Sequence, residues 1–295
     1  MLLLTGATGV IGGELLPRLL ERDEDVRVLV RNPRRLGENR VNVQISLGDL
    51  ADPYSMRHAL RGVDTVVHLA ATIRDQPQGT IEELNGLATL RLLRSAERGG
   101  VKRFVFFTAM NATPFQRTRF FRSKAIAERA VADSPLRTTV FAPSIVYRPG
   151  DPWINLLERF SKLPAVPVSG AGRAAYQPIW ARDVAACVAA ELERKPAAKE
   201  SRRYELAGPE TLTYDGIVER VLDSNGGRKP LLHVPLPVVR VGLRVAEVLG
   251  GASAFATWEE AELMEVPMVT DRGTEDAEGL GVEPRPMASV LAAGG

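Results

Sequence analysis

The residues best suited to chemistry stand at the start of the chain. Thr5-Gly6-Ala7-Thr8-Gly9-Val10-Ile11-Gly12 follows an apolar run and leads into a helical pattern, in the spacing G-x-x-G-x-x-G. A tight strand-to-helix turn needs the first glycine. Close approach of a pyrophosphate needs the second, and packing of helix on strand needs the third. A helix opening at Val10 and Ile11 would aim unpaired N–H groups and a positive dipole end at phosphates beside Thr8. The second apolar run ends at Arg31, 19 positions past Gly12 (31 − 12). A site for NAD(H) carries Asp or Glu near that offset, and this chain has Arg31, Arg34 and Arg35 instead. Guanidinium groups there hold a 2′-phosphate, so NADP(H) is favoured over NAD(H).

These residues need a strand–turn–helix to position them, and the first half of the chain supplies a series of such units. Apolar, β-branched runs predict strands at Leu2–Thr5, Val26–Val30, Val41–Ile45, Thr65–Leu69, Phe104–Thr108 and Thr138–Phe141. Helical patterns lie between them at Ile11–Glu21, Pro53–Leu60, Glu82–Arg98 and Arg119–Ala132. Leu84, Leu87, Leu90 and Leu93 recur at helical spacing as a buried stripe. Asp52-Pro53 reads as an N-cap followed by proline in the first turn. Strands alternating with single helices imply right-handed crossovers and a parallel sheet. The fold class is therefore α/β: a doubly wound parallel Rossmann sheet over residues 1–150, with a smaller C-terminal α/β substrate part over 151–295. From Pro149 onward prolines cluster, at Pro149, Pro152, Pro164 and Pro167. A strand-like Gln177–Trp180, a helix capped by Asp183 and a strand at Tyr204–Leu206 follow, and strands near 176–206 are free to rejoin the main sheet. Helices at Asp215–Asp223 and Val238–Leu249 lead to an acidic, loop-rich tail.

Composition excludes several other classes. The chain has 295 residues, 45% hydrophobic and 25% charged, as in ordinary globular proteins. Lys+Arg is 38 and Asp+Glu is 36, a net charge of +2, so no chain-wide nucleic-acid footprint exists. Phe115–Lys124 mixes basic and aromatic residues, but its place in a helix explains it locally, and nucleic acid is not an expected partner. Cys187 is the single cysteine, which suits a reducing cytoplasm. No basic leader or cleavage site precedes the glycine motif, and no charge-free apolar stretch reaches the roughly 18 residues of a membrane span. His58, His68 and His233 lack ligand spacing; no metal site is expected, and His68 reads as a core residue.

The glycine motif, Gly48-Asp49-Leu50, Val63–Ala71, Asn85 opening a long helix and Lys102–Phe106 together resemble the extended short-chain dehydrogenase/reductase superfamily. Gln177–Ala185, Gly170, Gly172 and the helix Arg119–Glu128 look like its atypical, NmrA-like branch. That branch includes the dehydrogenase-like accessory subunit of respiratory complex I. The resemblance implies that Asp49 and Leu50 flank the adenine and that Ala70 and Ala71 line the cofactor path. It also implies that Pro143 and Val146 frame the nicotinamide and that Lys124 holds its ribose.

Ordinary members carry Tyr-x-x-x-Lys on one helix face, the lysine lowering the tyrosine pKa and the tyrosine passing a proton. Here Phe120 stands four residues before Lys124, and a phenyl ring has no proton to give. Thr108 occupies the place of the usual serine after the fifth strand. Thr108, Lys124 and Tyr147 are the remaining catalytic candidates, with Tyr147 read either as a displaced acid or as a packed ring. The implied function is an NAD(P)H-dependent oxidoreductase for an easily reduced acceptor of quinone type. The alternatives are a non-catalytic nucleotide-binding redox sensor or respiratory assembly protein, then a nucleotide-sugar epimerase or dehydratase, which Phe120 argues against. The substrate is an unknown small molecule. The apolar helix in 235–250, with Arg240, Arg244 and Glu247 as its polar stripe, is expected in the core or a pocket wall. It is alternatively a contact for a protein or membrane complex at the periphery of which a cytoplasmic protein would sit.

Overall fold

The computed structural model describes residues 1–194, 201–250 and 257–294, with backbone alone at 53, 245–250 and 294. In chain order the first half runs β1 (Leu2–Thr5), α1 (Val10–Leu20), β2 (Val26–Val30), β3 (Gln44–Leu47), α2 (Pro53–Ala59), β4 (Thr65–His68), α3 (Ala88–Arg98), β5 (Arg103–Phe107), α4 (Arg119–Ala132) and β6 (Arg137–Pro143). The second runs β7 (Val146–Tyr147), α5 (Pro152–Phe160), β8 (Val166–Ser169), β9 (Ala175–Tyr176), β10 (Ile179–Trp180), α6 (Ala181–Glu193), β11 (Ser201–Leu206), β12 (Leu212–Thr213), α7 (Tyr214–Ser224), β13 (Leu231–Val234), α8 (Leu236–Gly250), α9 (Trp258–Leu263), α10 (Glu275–Glu278) and α11 (Met287–Gly294).

Seven strands form one parallel sheet in the order β11-β6-β5-β4-β1-β2-β3. The order reverses between β1 and β4, and an open parallel sheet binds ligands at such a switch point. Its central strands are buried along their whole length, which is why they read as continuous apolar runs. α1 and α6 cover one face, burying Leu15, Leu16, Leu19, Val184 and Val188. α2, α3 and α4 cover the other, burying Met56, Leu92, Ala96 and Val131. The Asp52 carboxylate caps α2, accepting from the Tyr54 and Ser55 N–H groups. The second half also builds three two-stranded sheets (β7–β10, β8–β13 and β9–β12) around a third core with Tyr147, Ile154, Tyr176 and Ile217. Because β11 pairs with β6, the main sheet draws on both halves of the chain.

Four local expectations are corrected. The third strand begins three residues later than the expected Val41–Ile45, because Pro33–Val41 winds as 3-10 turns that leave Val41 exposed. A wide helical turn over Glu83–Leu87 shifts the phase entering α3. The buried set there is Ala88, Thr89, Leu92, Leu93 and Ala96, with Leu87 exposed. Asp183 lies in the first turn of α6 and does not cap it; its carboxylate accepts from the Arg285 N–H. The described side chains of α8, residues 236–244, are not in the core: Val238 and Val241 are 59% and 65% exposed. The Glu247 side chain of its expected polar stripe lies outside the described residues.

Candidate functional site: a dinucleotide cleft

The turn after β1 is built by backbone crowding. Gly6 has φ +76°, and a Cβ there would stand 2.6 Å from the Ala70 nitrogen. A Cβ on Gly12 would stand 2.2 Å from the Gly6 carbonyl oxygen, so helix and turn pack backbone to backbone. Gly9 differs. A Cβ there would meet only the Gly6 oxygen, at 3.2 Å, which leaves its outer side open to a ligand. Below the turn, His68 is fully buried and bridges Thr5 Oγ1 (2.7 Å, Nδ1) and Thr89 Oγ1 (2.9 Å, Nε2). Burial first, then the nearby Lys124 cation, pushes the imidazole pKa down to about 3, so His68 is a neutral strut.

A cleft of about 360 Å³ opens above this turn. Gly6, Thr8, Gly9, Arg31, Arg35, Asp49, Leu50, Ala70 and Ala71 all line it. Val10, Ile11 and Gly12 lie behind that wall, opening α1 toward it. Arg31 is half-exposed at the mouth, its Nη1 3.7 Å from the Asp49 carboxylate and 3.3 Å from Gln78 Oε1. Gln76, Thr72 and Leu84 close the far side. Sequence reading missed these three, although Asn85 signals them. Its amide clasps the loop after β4, accepting from the Thr72 N–H at 2.9 Å and donating to the Thr72 carbonyl at 2.7 Å.

The expected reacting end is arranged differently. Lys124 is buried and does not line the cleft. Its Nζ donates to the Phe107 carbonyl at 2.6 Å and lies 4.8 Å from the centre of the Phe106 ring. Burial lowers its pKa to about 7, against a smaller opposing effect of Glu128. Thr108 Oγ1 is buried with no partner among the described residues. Pro143 and Val146 lie at the carboxyl end of β6 and in β7, outside the cleft wall. Tyr147 is fully buried in the third core, its hydroxyl has no partner among the described residues, and burial holds its proton far above the usual phenol range. A displaced acid at Tyr147 therefore has no path to a substrate in this arrangement. Phe120 packs edge-on against Phe121, 5.5 Å between centres, at the edge of a small core with Ala109, Leu263 and Val266.

An ionic strap crosses this end. Arg74 grips Glu260 (2.6 and 2.8 Å), and Arg119 reaches Asp75, Glu82 and Glu259. Arg117 lies 3.6 Å from Glu262. These contacts hold the acidic helix α9 over the loops that follow β4 and β5.

The glycine turn and the open Gly9 fit a bound dinucleotide, whereas Thr108 lies outside the cleft wall. The fold and cleft thus define a Rossmann-type dinucleotide-binding protein. More particularly, the chain belongs to the NAD(P)H-binding family, whose model matches residues 6–194. It is 30% identical over 261 residues to sterol demethylase protein B of Methylococcus capsulatus, covering 79% of this chain and 77% of that one. It is 30% identical over 242 residues to the NAD(P)H azoreductase of Xenophilus azovorans, covering 80% and 77%. It is 26% identical over 247 residues to the mitochondrial NADH dehydrogenase [ubiquinone] 1 alpha subcomplex subunit 9 of Arabidopsis thaliana, spanning 60% of that protein's length. In fold it matches a nucleoside-diphosphate-sugar epimerase of Staphylococcus aureus, with TM-score 0.76 and 22% identity over 99% of both chains.

Proposed function

We propose that the protein is an NADP(H)-dependent reductase of an acceptor that accepts hydride without a protein proton donor, of quinone type. Phe120 carries this reading, because a phenyl ring occupies the position of the usual tyrosine. Gly6, Gly9 and the opening of α1 hold the pyrophosphate. Arg31 and Arg35 face a 2′-phosphate, and Asp49 and Leu50 flank the adenine. Thr108 offers the hydrogen bond its buried hydroxyl lacks, and Lys124 supports the β5 end through the Phe107 carbonyl. When bound, the reduced nicotinamide supplies a hydride. The acceptor takes up that hydride, hydrogen and electron pair together, and its second hydrogen comes as a proton from water. The chain's contribution is orientation of nucleotide and acceptor. Loss of a positioned acid removes about 10²–10⁴-fold of rate, which an easily reduced acceptor tolerates best. The named activity of the azoreductase relative supports this reading. Its location would be cytoplasmic.

The test is NADPH oxidation against a panel of quinones and azo dyes, alongside thermal shift with NADPH and NADH. Ligand at a hundred times Kd stabilises by about 2.7 kcal/mol. No shift with either nucleotide overturns the reading. Arg31→Asp should weaken NADPH more than NADH, and an equal loss removes Arg31 as the 2′-phosphate reader.

The exposed Val238 and Val241 favour a second reading, a nucleotide-binding protein that supports a larger assembly. Binding of nucleotide with no turnover on any acceptor, together with co-purification of a membrane complex, would select it.

A further inference from the structure

The face opposite α1 and α6 carries a concentration of charge that the near-neutral total conceals. On α3, Arg91, Arg94 and Arg98 follow at three- and four-residue spacing, so they share one exposed face. Arg57 stands on the neighbouring α2 and Arg61 in the turn just beyond its end, both exposed. None of the five comes within 4 Å of a carboxylate among the described residues, whereas Arg74, Arg103, Arg119, Arg203 and Arg272 are each paired. Fold maintenance does not occupy them. The carbonyls of Ala59 and Arg61 at the end of α2 are satisfied by the Arg27 guanidinium from β2, at 2.9 and 2.6 Å. Glu97, the carboxylate on the same helix, is turned to Ser134 at the end of α4.

Arg57, Arg61 and Arg98 converge on a groove of about 500 Å³ between the two helices, floored by Leu60, Ser95 and Gly99. Tyr54, exposed, stands at its rim with the Arg57 guanidinium 5.7 Å from its ring centre. Guanidinium forks pair bidentately with carboxylates, and a groove of this size takes one or two side chains.

We infer that the α2–α3 face is a docking surface for an acidic segment of a partner protein, with carboxylates on Arg57, Arg61 and Arg98 and further acidic residues along Arg91 and Arg94. Two other polyanions fit less well. A single-stranded nucleic acid binds best where aromatic rings recur for base stacking, and only Tyr54 stands here. A bilayer surface wants an apolar stripe beside the cations, and the exposed stripe of α3 from Arg91 onward is guanidinium alone. A second copy bringing the same face would set like charges together. The surface lies away from the dinucleotide cleft, so docking there leaves the cofactor site open.

The test uses the full chain with fluorescent poly-L-glutamate, oligothymidylate of matched charge, and phosphatidylglycerol vesicles. Poly-L-glutamate should bind most tightly and weaken steeply as salt rises. The variant Arg57→Glu/Arg94→Glu/Arg98→Glu should lose at least about tenfold in affinity, and the milder Arg→Gln triple should fall between. An NADPH thermal shift equal to that of the parent shows that each variant is folded, and the Gln triple serves if the Glu triple is not. Tighter binding of oligothymidylate or vesicles overturns the inference. So does equal poly-L-glutamate binding by a folded triple variant, or no binding by the parent.

Discussion

Lys124 sits where charge is costly. Its ammonium is enclosed by β5 and α4, with the Phe107 carbonyl and the Phe106 ring as its neighbours. Burial lowers its pKa from 10.5 to about 7. Between those pH values the unfolded chain keeps a proton that the folded chain has released, so stability from this group rises with pH across that window. Below about pH 7 both states hold the proton and the burial penalty is fully present. In Lys124→Met that slope should vanish, leaving the variant's advantage over the parent largest near pH 6 and shrinking toward pH 10, read from melting curves across pH. An unchanged slope would show that Lys124 stays charged when folded. Phe120→Tyr places a phenol four residues before the lysine, on the same face. Carbonyl reduction with NADPH should then rise by about 10²-fold, the low end of the range for general acid catalysis, because Lys124 is already engaged by Phe107. The residue types at these positions were readable in the sequence. Their directions were not, because whether a lysine turns toward a ligand or a backbone carbonyl depends on strands that spacing does not describe.

The strand-to-helix turn separates two jobs that one glycine pattern runs together. Gly12→Ala forces a Cβ into the Gly6 carbonyl and Ala7 backbone, at 2.2 and 2.7 Å. The expected cost is about 1–3 kcal/mol, with nucleotide affinity lost as the turn shifts. Gly9→Ala meets far less, so its melting temperature should stay near that of the parent while NADPH stabilisation falls. A Gly9→Ala protein that binds NADPH as well as the parent would place the phosphates elsewhere. The turn was legible because strand, glycines and helix are contiguous, and β1, β2, β4 and β5 were legible because doubly covered strands are mostly apolar. The first half of α8 was expected in the core or at a partner contact and is exposed, because an apolar circumference is the same whether neighbours cover it or not. β3 slipped because Val41, apolar and β-branched, sits in an exposed turn.

At the scale of the whole molecule, long-range charge fixes what local pattern leaves free. Arg74 and Glu260 are 186 positions apart, and Arg119 and Glu259 are 140 apart. No sequence window contains such pairs, so the segment after 257 read only as an acidic tail. Arg119→Ala should loosen it: amide exchange over Leu263–Met268 should quicken while that of β4 and β5 stays constant, and high salt should have the same effect on the parent. Equal exchange in parent and variant would mean that the apolar contacts of Leu263 and Val266 hold the strap alone. The pairing of β11 with β6 has a further consequence, for synthesis. Phe141 and Val140 have a neighbour on each side only after Leu206 has been made. At about 5–20 residues per second, the nascent chain carries β6 as an open, apolar edge for several seconds after it leaves the ribosome. During that interval the half holding the nucleotide motif is the half most in need of a chaperone.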